Sequence, residues 1–217
     1  DYVNQVHAEC QKRGWNVVME HDMLNHLKSK YDFSLPCTTY ATDQDFKKGI
    51  DYMICLGGDG SFLRAVRFVR DSGVPILGIN TGRLGFLSNI SKEAIGETFQ
   101  LLEDKKYEFQ KRSLIRVRTQ DELFGLENFA LNELTISKKD TSSMITVHAK
   151  LDGKYLNSYW ADGLIVSTPT GSTGYNLSCG GPIITPGCQV HIITPTAAHN
   201  LNVRPVVVPD HLPIDLT

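Results

Sequence analysis

The chain lacks several things that would have placed it quickly. It has no long apolar run, no charge excess, no internal repeat and no low-complexity tract. A bilayer-spanning helix needs about 20 apolar residues, and no such stretch is present. A net charge of −2 gives no basic field for DNA or RNA. The cysteines Cys10, Cys37, Cys55, Cys179 and Cys188 include no CxxC pair, so neither a zinc ribbon nor a dithiol redox motif is written. His21 and His26 are five apart, off a common helical face. His148, His191, His199 and His211 show no ligand spacing either, and no structural metal site is expected. Free thiols and the lack of an opening signal-peptide pattern point to a reduced, cytoplasmic compartment. The chain opens without a methionine and closes inside Pro213-Ile-Asp-Leu-Thr217, which reads as the start of a strand, so continuation past residue 217 is expected.

What is present starts at Ile54-Cys-Leu-Gly57-Gly58-Asp59-Gly60-Ser61-Phe62. An apolar strand runs into a glycine-rich turn, and an amphipathic helix follows from Phe62. This layout lets backbone N–H groups approach phosphate oxygens. The aspartate is the odd member, because it would repel phosphates. It makes sense as a proton acceptor or a partner of a metal. The plain alternative is a βα turn with a capping Asp.

The first half alternates helix and strand. Helices are expected at Tyr2–Arg13, His21–Lys30, Phe62–Asp71 and Ser91–Lys105, the last capped by Ser91. Strands are expected at Trp15–Met19, Ile50–Leu56 and Val74–Ile79. The segment Pro36–Asp43 is polar and shows no clear period. This rhythm argues for a parallel sheet with helices on its faces. Ligands bind such sheets at the C-terminal ends of the strands, and Gly57–Gly60 and Asn80–Gly85 are two strand-exit loops able to line one crevice. After Lys105 the texture turns β-rich. Alternation runs through Tyr107–Gln120, and Leu123–Leu131, Glu133–Ser137, Leu164–Ser167, Val190–Thr194 and Pro205–Val208 read as strands. Ile145–Leu151 and Lys154–Trp160 flank Asp152-Gly153, a type I′ hairpin signal. Two domains are expected: an α/β nucleotide-binding domain over 1–106 and a β-rich domain over 107–217.

Three further groups carry chemistry. Asn132-Glu133 interrupts two apolar strands. A carboxylate beside an amide can grip a ribose diol; an ordinary sheet bend is the alternative. Asp162-Gly163 through Thr168-Pro169-Thr170-Gly171-Ser172-Thr173-Gly174-Tyr175 ends a strand in hydroxyls and glycines. It reads as a polar cradle for phosphate or sugar, with Tyr175 offering a flat face. A Ser/Thr linker is the alternative, but Leu164–Val166 and Pro182–Ile184 read as strands holding both its ends. Asn80-Thr-Gly-Arg-Leu-Gly-Phe86 adds an aromatic that is either core or a stacking partner for adenine.

In this order, the motifs resemble the NAD kinase family from about Ile50 to Asp210. The Gly-Gly-Asp-Gly turn is shared with diacylglycerol and sphingosine kinases; the later motifs are more specific. The resemblance implies an α/β N-terminal nucleotide-binding domain plus a β-rich C-terminal domain. It implies phosphorylation of NAD by ATP to give NADP, with Mg²⁺ arriving on ATP. It also implies a homodimer or homotetramer whose neighbouring subunit helps complete the NAD site. Asp59 matches the proton acceptor and Gly60 its backbone neighbour. Arg64 stands where a basic residue often lies near phosphates, and Phe86 matches an aromatic of the adenine pocket. Asn132 and Glu133 match the pair holding the adenosine ribose, and Asp162 an NAD-contacting carboxylate. Thr173, Gly174, Tyr175, Asn176, Leu177 and Ser178 match the NAD-binding loop, and Ala197 a small residue against the dinucleotide. Gly174 and Cys179 stand where alanine is common. Trp160 stands where some members place a basic residue, which leaves open what meets the NAD phosphates there. Two other readings remain at this stage. A lipid kinase would use the same Gly-Gly-Asp-Gly turn but call for an apolar groove or basic membrane face. A non-catalytic NAD(P) sensor would have no need of a base.

Overall fold

Apolar residues one turn apart on α1 (Tyr2–Lys12) and α4 (Ile95–Glu103) bring Cys10, Ile95 and Phe99 into one core with Ile79. The structure, a computed structural model, describes every residue except 1, 32, 34, 35, 43, 46–48, 84, 140–142 and 201. It divides into two units, Asp1–Phe109 and Gln110–Thr217. Between α1 and α4 the first unit runs β1 (Val18–Glu20), α2 (His21–Tyr31), β2 (Thr38–Tyr40), β3 (Met53–Leu56), α3 (Asp59–Val69), β4 (Ile76–Asn80) and β5 (Ile90–Ser91). Its pairings, β1 with β2, β3 with β4 and β4 with β5, are all parallel. Each large side chain such as Phe99 contributes about 1.5–3 kcal/mol by leaving water.

Three details depart from the sequence reading. Helix α3 starts at Asp59, not Phe62, with Gly58 as its cap. Ser91 precedes a short 3₁₀ turn (Lys92–Ala94) and makes no side-chain capping bond; α4 begins at Ile95. Strand β2 lies within the segment that showed no period. Only Tyr40 of it is buried, so backbone pairing with β1 rather than side-chain alternation defines it.

The second unit holds β6 (Ile115–Arg116), β7 (Phe129–Ala130), β8 (Glu133–Ser137), β9 (Ile145–Leu151), β10 (Lys154–Ala161), β11 (Gly163–Ser167), the one-turn α5 (Tyr175–Ser178), β12 (Val190–Thr196), β13 (Val206–Pro209) and β14 (Ile214–Leu216). A four-stranded antiparallel sheet has the order β13-β12-β11-β8, and a three-stranded one the order β10-β9-β14. Val147, Ala149 and Tyr159 of the smaller sheet pack on Leu164, Ile193 and Val208 of the larger. The β9–β10 hairpin turns at Asp152 (φ 51°) and Gly153 (φ 71°), as a type I′ turn requires.

The alternation over Tyr107–Gln120 yields only the two-residue β6. Its aromatics have other work: Tyr107 packs edge-on against Tyr52 and Phe109. Within Leu123–Leu131, Leu123 and Leu126 face solvent around a 3₁₀ turn (Gly125–Glu127), and only β7 pairs. Pro182–Ile184 is not a strand. Ser172 Oγ fixes it, accepting from the Ile184 N–H (3.0 Å) while donating to the Pro169 carbonyl (2.6 Å). Among the described residues no helix is long and apolar enough to cross a membrane.

Candidate functional site

In the first unit Asp59 ties the two glycine-rich strand exits together. Its carboxylate accepts from the N–H groups of Phe86 (Oδ2, 2.9 Å), Leu87 (Oδ1, 2.9 Å) and Ser88 (Oδ1, 3.1 Å). It is therefore no side-chain cap of α3, although its place in the first turn suits a negative charge. Partial burial pushes its pKa up, but the three backbone donors outweigh this and hold it below the usual aspartate value. Buried Asn80 holds the same loop from inside: Nδ2 donates to the carbonyls of Arg83 (2.7 Å) and Ser88 (3.1 Å), and Oδ1 accepts from Gly82 N–H (2.7 Å). Gly85 must lack a side chain, because an added Cβ would lie 2.7 Å from Asp59 Cγ and closer to Oδ1. Gly85→Ala should displace this carboxylate and lower turnover about tenfold, since small misplacements at a reacting group are costly. Steady-state kinetics would check it; an unchanged kcat would mean that the Asp59 position is not critical.

In the second unit the Leu131-Asn132 bend delivers two acceptors. Asn132 Oδ1 and Glu133 Oε2 are buried, with no hydrogen-bond partner among the described residues. Burial pushes the Glu133 pKa up. Glu133 lies opposite Ser167, at one end of the β8–β11 pairing. The hydroxyl-rich segment folds over this end as a 3₁₀ turn (Thr170–Thr173) leading into α5. Thr168 Oγ1 donates to the Leu131 carbonyl (2.5 Å) and accepts from Gly171 N–H (3.1 Å), which brings the turn down on the bend. A Cβ on Gly171 would strike the Asn132 carbonyl, and one on Gly174 would lie 3.2 Å from Glu133 Oε2. The segment is thus a built element, not a linker.

The structure gathers some expected site residues and separates others. Asn132, Glu133 and Gly174 meet at one place. Asp162 lies at the other end of β11; the Tyr175 hydroxyl pKa is raised, chiefly by Cys179 and least by the charge of Asp162. Asn176 is fully buried, and its amide is spent on the loop: Nδ2 donates to the Ser172 and Pro182 carbonyls, and Oδ1 accepts from Thr194 Oγ1 (2.6 Å). It holds the loop's shape. Tyr175, Leu177 and Ser178 are exposed, and Thr173 is half-buried. Ala197 is exposed with φ 46°, at the end of β12. Phe86 is 72% exposed, which removes the core reading. Gly60 follows Asp59 in α3 with open space where a Cβ would stand. Arg64 forms an ion pair with Glu20, at the end of β1. Two cations escaped the sequence reading. Lys138 Nζ pairs with Asp162 Oδ1 (2.7 Å), and Arg112 Nη1 donates to Thr170 Oγ1 (3.1 Å). Among the described residues no three His, Cys, Asp or Glu side chains gather to hold a metal.

Comparison with known proteins accords with this arrangement of motifs. Residues 1–107 match the ATP-NAD kinase N-terminal domain and residues 131–217 the ATP-NAD kinase C-terminal domain. The NAD kinase of Flavobacterium psychrophilum is 54% identical over 179 residues, which are 82% of this chain and 61% of that protein. That of Christiangramia forsetii is 44% identical over 217 residues, 99% of this chain and 74% of that protein. Among solved structures, yeast NADH kinase complexed with NADH superposes with TM-score 0.85 at 25% identity, over 99% of this chain and 67% of that one. An Archaeoglobus fulgidus NAD kinase in complex with ATP gives 0.71 at 25% identity, over 92% and 78%. The chain belongs to the NAD kinase family. The NAD kinases of Flavobacterium johnsoniae, Flavobacterium psychrophilum and Christiangramia forsetii are all similar to it, which does not favour the lipid-kinase alternative.

Proposed function

We propose that this chain transfers the γ-phosphoryl group of ATP to the 2′-hydroxyl of the adenosine ribose of NAD, giving ADP and NADP. The single observation that carries the reading is the pair of buried, unpartnered acceptors, Asn132 Oδ1 and Glu133 Oε2. Leaving such atoms without donors costs about 1–3 kcal/mol each, and a ribose diol brings two O–H donors side by side. Asp59 then serves the attack. Its lowered pKa keeps it ionised, and Oδ2, which accepts a single hydrogen bond, can receive the hydroxyl proton as the O–P bond forms. Phosphoryl transfer passes through a loose transition state, so positioning and charge neutralisation outweigh base strength. A divalent cation such as Mg²⁺, carried by ATP, would supply the charge that neutralises the phosphates.

The remaining assignments belong to the same proposal. The α/β domain presents Asp59, Gly60, Arg64 and Phe86, and the β-rich domain forms the NAD pocket with Asp162, Thr173, Gly174, Tyr175, Leu177, Ser178 and Ala197, buried Asn176 holding the loop's shape. The protein works in the cytoplasm as a homo-oligomer. The test is a coupled assay of the purified protein with ATP and Mg²⁺, comparing NAD with diacylglycerol as acceptor. NADP formation is expected; turnover of the lipid alone would favour the lipid kinase, and binding of NAD without turnover the sensor. Exposed Tyr175 supplies a second check. Base–aromatic stacking is worth about 1–3 kcal/mol, so Tyr175→Ala should raise the KM for NAD roughly tenfold and that for ATP much less. Equal changes in both constants would remove the stacking role.

A further inference from the structure

Arg112 is the cation of the second unit whose surroundings call for an anion. Its side chain is half-buried, and its guanidinium is held at two points by neutral acceptors: Nη1 on Thr170 Oγ1 (3.1 Å) and Nη2 on Gln110 Oε1 (2.5 Å). Among the described residues it forms no ion pair with a carboxylate. Burial alone pulls its pKa down, and no opposing charge offsets the cost. A half-buried charge without a counter-ion is expensive, and proteins ordinarily pair it. Here the protein fixes the plane of the fork and leaves the charge to be met by something else. Thr170 begins the 3₁₀ turn whose Gly171 rests on the Asn132 carbonyl, so the guanidinium is wired to the segment that closes over the two unpartnered acceptors. A planar fork beside a hydroxyl-rich turn matches the geometry of phosphate oxygens.

We propose that Arg112 is a phosphate-binding residue, its guanidinium held for that anion by the Thr170 turn. The proposal rests on the nucleotide-kinase reading for the source of that phosphate, either the polyphosphate of ATP or the pyrophosphate of NAD. The anion site itself does not depend on it. Inorganic pyrophosphate is therefore the first probe, titrated into the wild-type protein, Arg112→Met and Arg112→Lys. The wild type should bind it, with a raised melting temperature. Arg112→Met should lose about tenfold or more in affinity, and Arg112→Lys, which keeps the charge but not the fork, should fall between. In kinetics, a tenfold or larger rise confined to the KM for ATP identifies the donor phosphates, and one confined to the KM for NAD identifies the dinucleotide. Adenosine, which has no phosphate, should bind both proteins alike. If pyrophosphate affinity falls in Arg112→Met while the wild type makes no NADP, the kinase reading fails and the anion site stands. Should Arg112→Met not fold, wild-type pyrophosphate binding and Arg112→Lys decide. The proposal is overturned if the wild type ignores pyrophosphate, or if a folded variant keeps its affinity and both KM values within twofold.

Discussion

Asp59→Asn should lose about two to four orders of magnitude in turnover, the usual scale for a proton acceptor. The substitution also tests the loop. All three groups facing this carboxylate are backbone N–H donors. An asparagine oxygen at the Oδ1 position keeps Leu87 and Ser88, but its NH₂ then confronts the Phe86 N–H. A modest fall in melting temperature should therefore accompany the kinetic loss. Acid adds a second reading. The folded-state pKa of Asp59 is lowered, so its contribution to stability is present above the unfolded aspartate value and lost as pH falls through the folded one. The acidic limb of kcat/KM should likewise lie below the ordinary aspartate range. Near-normal turnover in Asp59→Asn would remove Asp59 from the chemistry; an acidic limb near pH 6 would hand that role to another group.

Glu133→Ala should weaken NAD binding by roughly 1–3 kcal/mol, the scale of a lost hydrogen bond to a charged group, which is about five- to 150-fold in Kd. The accompanying stability change is the diagnostic part. Glu133 presents a buried oxygen with no partner, and burial has raised its pKa. A group raised in this way favours the folded state most below its unfolded pKa, and that benefit is lost as pH rises through the folded value. At neutral pH the side chain is therefore a burden on the unliganded fold. The melting temperature of Glu133→Ala should hold or rise while NAD affinity falls, a trade of stability for function. Lower stability with unchanged NAD affinity would make Asn132-Glu133 an ordinary bend.

How far the sequence could be read follows from where each signal resides. The β9–β10 hairpin and the polar segment at 167–175 are local, written in consecutive residues, and lie where the sequence reading put them; the β3–α3 turn was legible too, although its helix begins three residues earlier, at Asp59. Arg112 and Lys138 were not legible, because what distinguishes them is a contact with Thr170 or Asp162, far along the chain. Nothing in periodicity encodes that. Asn176 was legible as polar but not as buried; its use appears only when Thr194, Ser172 and Pro182 close around it. The alternation over 107–120 misled for the opposite reason. Its aromatics satisfy one another and Tyr52, and only Ile115–Arg116 finds a partner strand.

A crystal structure of the protein with NAD bound tests the central claim most directly. The two hydroxyls of the adenosine ribose should lie at about 3 Å, ordinary hydrogen-bond distance, from Asn132 Oδ1 and Glu133 Oε2, giving both acceptors the donors they lack. A bound dinucleotide that leaves both atoms unpartnered, or that seats its ribose elsewhere, would contradict the account.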